Sequence, residues 1–246
     1  MTQQPAILVA ALALAAAGLV SHASATQDKL TPEQRLAAFK QSLAENQKRL
    51  RGYEWVETTI ISLKGEEKSR KQQRCYYGAD GKVQKIAMGE KPAPKETSGG
   101  GGGRRGGGRV KKQIVENKVE DIQDYMEAAA ALIHKYVPPE PELVQKAKDA
   151  GKMAVNPVDA GKVRLEFKDY VVPGDRFTID LNAAANSIGA VNVNTYLEEP
   201  EEVVSLDVRF AALPDATSYP AQTTLEAKAQ NIRVVIQNSG HKPVAK

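Results

Sequence analysis

Apolar and polar positions alternate with a period of two along much of the last third of the chain. In Lys162–Lys168, Val163, Leu165 and Phe167 are separated by Arg164 and Glu166, and in Asp175–Asn182, Phe177, Ile179 and Leu181 alternate with Thr178 and Asp180. Val203–Ala212 places Val204, Leu206, Val208 and Phe210 on one side, and Ile232–Asn238 does the same with Ile232, Val234 and Ile236. Successive strand side chains point to opposite faces, so this period predicts strands with one dry and one wet face. Antiparallel sheets tolerate that asymmetry, whereas parallel sheets covered on both faces read as unbroken apolar runs. Asn186–Leu197 and Tyr219–Ala229 read as weaker strands of the same meander, their pattern blurred by Asn192, Asn194 and Thr223. The residues after Ser239 read as a frayed tail.

A helical period appears earlier. Thr31-Pro32-Glu33-Gln34 has the residues of a helix start, with Thr31 as cap, Pro32 in the first turn and Gln34 closing a capping box. Leu36, Phe39, Leu43 and Leu50 then trace one face of a helix over Pro32–Arg51, with Gly52 as a left-handed stop. A three-stranded meander follows at Tyr53–Leu63, Glu67–Tyr77 and Lys82–Met88, turning at Lys64-Gly65-Glu66 and at the Asp80-Gly81 pair. Two more helices are expected over Val119–Tyr136, ended by Pro138-Pro139, and over Pro141–Ala150, ended by Gly151.

The first 25 residues read as an address. Ala6–Val20 is an apolar run too short for a span of about 20 residues, and Ala23-Ser24-Ala25 follows with a small-x-small cleavage pattern. Residues 1–25 are expected to be a cleaved signal peptide, and residues 26–246 a single domain in the periplasm or outside the cell. Cys75 is the single cysteine, so no internal disulfide can form; it sits in a strand as a buried, inert thiol.

Charge adds less than its total suggests. The net charge of +4 is concentrated in the Gly-, Arg- and Pro-rich stretch 89–112, and outside it bases and acids balance to within one charge. So glycine-rich a tract reads as a flexible surface loop. Arg104, Arg105, Arg109, Lys111 and Lys112 give it a second reading, peripheral contact with an anionic surface. A nucleic-acid partner is not expected, because no aromatic residues interleave with the arginines. The glycines form no phosphate loop, since no Gly-Lys-Ser/Thr closes them.

Catalytic chemistry is not legible. His22 falls in the signal segment and His241 in the tail, leaving His134 on a helix edge. The acid pairs Glu66-Glu67, Glu198-Glu199 and Glu201-Glu202 flank turns, and no Gly-x-Ser-x-Gly elbow or metal-ligand spacing occurs. The chain is read as non-enzymatic, with no cofactor and no metal.

The dry face carries the functional question. Val163, Leu165, Phe167, Phe177, Ile179, Leu181, Val204, Leu206, Val208 and Phe210 share it. At about 1.5–3 kcal/mol per buried side chain they represent on the order of 15–30 kcal/mol, so something must cover them. The three helices are the available cover, which gives an α+β fold of about nine antiparallel strands in a curved half-barrel. The order of export signal, amphipathic helix, three-stranded meander, helical insertion and long antiparallel meander resembles the periplasmic outer-membrane lipoprotein carriers. That resemblance spans most of the mature chain at the level of topology, and implies that the helix-lidded apolar face shelters a lipid, an acyl chain or a lipoprotein. The alternative is an envelope structural or interaction module with a filled core, docking a protein partner or an anionic surface through its polar face or basic loop. The sequence leaves the oligomeric state undefined.

Overall fold

The computed structural model describes residues 32–89, 122, 124–159 and 161–244. Helix α1 (Pro32–Leu50) leads into a meander of β1 (Tyr53–Leu63), β2 (Glu66–Tyr77) and β3 (Val83–Ala87). Helix α2, over 124–133, and α3 (Pro141–Asp149) precede seven further strands. These are β4 (Met153–Asp159), β5 (Lys162–Lys168), β6 (Arg176–Asn182), β7 (Ser187–Tyr196), β8 (Val203–Ala212), β9 (Ser218–Ala227) and β10 (Ile232–Pro243). All ten strands form one open, curved antiparallel sheet in the order β3-β2-β1-β10-β9-β8-β7-β6-β5-β4. Every neighbouring pair is sequential except β1 and β10, which join the first meander to the last described strand.

The turns follow from local chemistry. Lys64 and Gly65 both have positive φ, making the two-residue connection that matches strand twist between β1 and β2. Helix α3 ends in a left-handed Gly151 (φ 66°), with Lys152 N–H donating to the Ala147 carbonyl and Gly151 N–H to that of Lys148. Gly52 does not repeat this device. Its φ is not positive, and a Cβ there would lie 3.2 Å from the Arg49 carbonyl oxygen. Glycine eases a close approach of backbone at that point and does not supply handedness.

Three other expectations change. The expected strands gain a tenth, β4, whose pattern is broken in sequence by Asn156, Pro157 and Asp159 but which pairs with β5 from Met153 onward. Residues 240–243 are not a frayed tail: β10 runs to Pro243 and pairs with Tyr53 and Glu54 of β1. Gly240 (φ 62°) absorbs an extra residue there as a bulge between the Glu54 and Val56 pairings, which is why alternation vanished from the sequence. Consequently His241 is ordered, its ring packed 4.0 Å from Tyr219 and stacked on Trp55, while His134 is exposed. Thr31, the proposed cap of α1, lies outside the described residues.

One core fills the apolar side over β5–β8. Phe39 of α1, Ala129, Leu132 and Ile133 of α2, and Val144 and Ala147 of α3 pack with the inward residues of β5–β8. All three helices therefore lie on the same face of the sheet.

Candidate functional site

The strand registers place the ten predicted apolar residues together on one face. Phe167 pairs with Phe177, Phe177 with Val193, and Val193 with Leu206; Leu165, Ile179, Val191 and Val208 form the next row. Leu165, Phe167, Phe177, Ile179, Leu181, Val204, Leu206 and Val208 are buried. Val163 is half-exposed, and Phe210, beside a bulge opposite Pro220, is partly buried against the core.

At the β5–β7 end this face is tightly filled. Ring centroids lie 5.4 Å apart for Phe167–Phe177, 5.1 Å for Tyr170–Phe177 and 5.8 Å for Tyr136–Tyr170. A polar knot ties the cluster to the β5–β6 turn. The buried Asp175 carboxylate accepts the backbone N–H groups of Tyr170 (2.6 Å), Val171 (2.8 Å) and Val172 (2.9 Å), and the Tyr136 hydroxyl donates to it while sharing a second bond with Thr195. Burial, reinforced by the Asp175 contact, raises the Tyr136 pKa well above the ordinary phenol value. Burial likewise pushes Tyr170 up to about 12. These phenols stay protonated and serve as fixed donors.

Toward β9, β10 and β1 the same face is less covered. The row through Leu206 continues as Leu225, Val234 and Ile61. Leu225 and Val234 are half-buried and Ile61 is 39% exposed, as is typical of a dry row that outruns its helical cover. Ile236 and Leu63 flank them, also half-buried. The period-two pattern of β10 marked Val234 and Ile236 as apolar-facing; Leu225 was hidden among the threonines and alanines of β9. On α2, the Tyr125 hydroxyl is buried with no hydrogen-bond partner.

The opposite, polar face carries a depression of about 360 Å³ across β6–β10. One row of its lining runs Arg176, Asn194, Ser205, Glu226, Arg233, and the next runs Thr178, Asn192, Asp207, Thr224. Arg176 pairs with Glu166, Arg209 with Asp207 and Arg233 with Glu226. None of these polar residues was singled out as a site by the sequence, where they are simply the polar positions of each strand, although Thr178 and Thr224 are buried.

A third cluster stands on β1–β3. Trp55 Nε1–H donates to the Asn238 side-chain oxygen, and the Asn238 amide donates to the Pro220 carbonyl, bridging β1, β10 and β9. Cys75 is fully buried beside it; burial and the nearby Glu57 carboxylate push its thiol up to about 11, so it stays protonated and unreactive. Glu57 is itself buried and ion-paired with Lys85.

Arg104, Arg105, Arg109, Lys111 and Lys112 lie outside the described residues. Among the described residues no group of three or more His, Cys, Asp or Glu is placed to hold a metal ion, and no helix is long and apolar enough to cross a membrane.

No protein-family model and no curated protein matches the chain. Its structure is similar to the crystal structure of a DUF1329 family protein from Desulfovibrio piger, with a TM-score of 0.34 and 10% identity over 84% of this chain and 92% of that one.

Proposed function

We propose that this is an exported, non-enzymatic binding protein whose residues 26–246 form one half-barrel domain, and that it takes up an acyl chain along the apolar face of its sheet. The observation that carries this reading is the unequal cover of one continuous dry face. Its β5–β8 part is covered by the helices, while Val234, Ile236 and Ile61 continue it past the partly buried Leu225 as a strip with less cover. An acyl chain laid on that strip removes apolar area from water at roughly 25 cal/mol per Å². The buried, unpartnered Tyr125 hydroxyl on α2 offers a donor to a carboxyl or ester group. The lipoprotein-carrier-like order of elements supports the same class of ligand, and the signal-like segment supports a periplasmic setting. The five basic residues at 104–112 suit contact with an anionic membrane surface.

The experiment is titration of the purified protein with a fluorescent fatty-acyl probe, with lipid extraction of the same preparation. Micromolar binding by the parent chain, weakened at least fivefold by Val234→Asn with folding retained, is the expected result. No probe binding and no co-purifying lipid would refute it. A second reading has its own observation, the tightly packed aromatic end of the core together with the open polar depression. It makes the protein an interaction module that binds through its polar face, and acyl-probe silence combined with intact stability would favour it.

A further inference from the structure

The polar depression is separate from the acyl-binding face, since alternate strand residues project to opposite sides of the sheet. On its β6–β8 side Thr178, Asn192, Asn194 and Ser205 make no side-chain hydrogen bond among the described residues. Asn194 pairs across strands with Ser205, and Asn192 with Thr178 on one side and Asp207 on the other. Two amides and two hydroxyls thus converge with their donors and acceptors unspent. Arg176 and Arg233 stand at the two ends of the row.

The charge pattern narrows the ligand. Each arginine already has a carboxylate neighbour, at 3.4 Å for Arg176–Glu166, 3.1 Å for Arg209–Asp207 and 3.4 Å for Arg233–Glu226. With its cations matched in this way the surface offers no excess field to a polyanion. Nor do the rows present an apolar pocket for the side chains of a docked peptide. What they present is planar amides, hydroxyls and ion pairs, groups that donate and accept at once. A neutral ligand rich in hydroxyls answers that chemistry, because each hydroxyl also both donates and accepts.

Geometry points the same way. Neighbouring strands are about 4.8 Å apart, so the row from Arg176 to Arg233 crosses five strands over roughly 19 Å. That strand spacing is close to the length of one sugar ring, so successive rings of a linear glycan meet successive strands. We propose that the polar face of β6–β10 binds a neutral linear oligosaccharide, with Asn192 and Asn194 as the central contacts.

The test uses ¹⁵N-labelled protein and three defined probes, cellotetraose, maltotetraose and chitotetraose, with tetragalacturonate as an anionic comparison. The expected result is that at least one neutral tetrasaccharide shifts backbone amide resonances on β6–β9. Asn192→Ala/Asn194→Ala should weaken that binding at least tenfold, while acyl-probe binding and thermal midpoint stay unchanged. Shifts absent with all three neutral probes at millimolar concentration overturn the proposal. So does binding that the double variant leaves intact, or binding by tetragalacturonate that exceeds all three. Because the acyl-probe titration reads the other face, its outcome stands independently of this one.

Discussion

Replacing Phe177 by alanine should be the most damaging single truncation in the apolar face, and the reason is the rigidity of its neighbours. Phe177 is fully buried, with ring centroids of Tyr170, Phe167 and Tyr136 at 5.1, 5.4 and 6.1 Å. Two of those rings are held by their hydroxyls: Tyr136 by Asp175 and Thr195, Tyr170 by the Glu140 backbone N–H. They cannot swing into the space left behind, so most of the cavity persists. Phe→Ala costs about 3–5 kcal/mol in cores, and a site that cannot collapse belongs at the upper end, about 4–5. Phe210 is only partly buried and sits at a bulge, so Phe210→Ala should cost on the order of 1–2 kcal/mol. With a urea slope of about 2–3 kcal/mol per molar, the midpoint should fall by about 1.5–2 M for Phe177→Ala and by less than about 1 M for Phe210→Ala. Urea unfolding followed by far-UV circular dichroism gives both numbers. A Phe177→Ala midpoint shift no larger than that of Phe210→Ala would refute the claim that this end of the sheet is a close-packed core.

Asp175→Ala should be as harmful as a cavity mutant, because it strands three backbone N–H groups at about 1–3 kcal/mol for each unsatisfied group and leaves the Tyr136 phenol with Thr195 alone. Tyr136→Phe removes a single donor and should cost about 1–2 kcal/mol, so similar thermal midpoints for the two variants would count against the knot. Gly151→Ala meets no atom within 4 Å but must adopt a left-handed φ of 66°, and should lose about 1–2 kcal/mol for that reason alone; an unchanged midpoint would dissolve the argument. Burial depresses the His241 pKa, so the folded form favours the neutral ring and the unfolded chain takes up the proton first. Its contribution is full above about pH 6.5 and is lost as pH falls below that value. Urea midpoints at pH 7.5 and 5.5 should therefore differ less in His241→Gln than in the parent, and equal differences would exclude His241 as the source.

The strands that could be read from sequence are those whose cover is one-sided and continuous. In β5 and β8, alternation maps closely onto burial, and the face shared by Leu165, Phe177 and Leu206 follows from it, although in β6 the polar-facing Thr178 is buried as well. Alternation fails where backbone pairing, not side-chain burial, holds a strand. Asn156 and Pro157 disguise β4, whose residues from Asn156 to Asp159 are exposed, and Gly240 disguises the end of β10. The polar depression was illegible for a different reason. Asn192 and Asn194 look like noise within β7, and only the register against β6 and β8 sets them beside Thr178 and Ser205. Cross-strand alignment depends on bulges such as those at Asp180/Leu181 and Arg209/Phe210, which no local pattern announces. The half-covered strip has the same character: Val234 is plainly apolar-facing, but where helical cover ends is a matter of packing.

The pairing of β1 with β10 also fixes an order of events during biosynthesis. Strands β4 to β10 can zip up as each emerges, since every partner is the preceding strand. Strand β1 is made early, yet one of its two neighbours is β10, the last of the described strands. Until then β1–β3 is a three-stranded hairpin assembly with little apolar cover, a unit of marginal independent stability. Such distant contacts slow assembly far more than they weaken the finished fold, because loop closure grows only logarithmically with length. The composition of β2 suits the delay. From Glu66 to Arg74 it is entirely charged or polar, so the waiting meander sets a charged surface beside the open edge of β1, where an apolar one would invite aggregation.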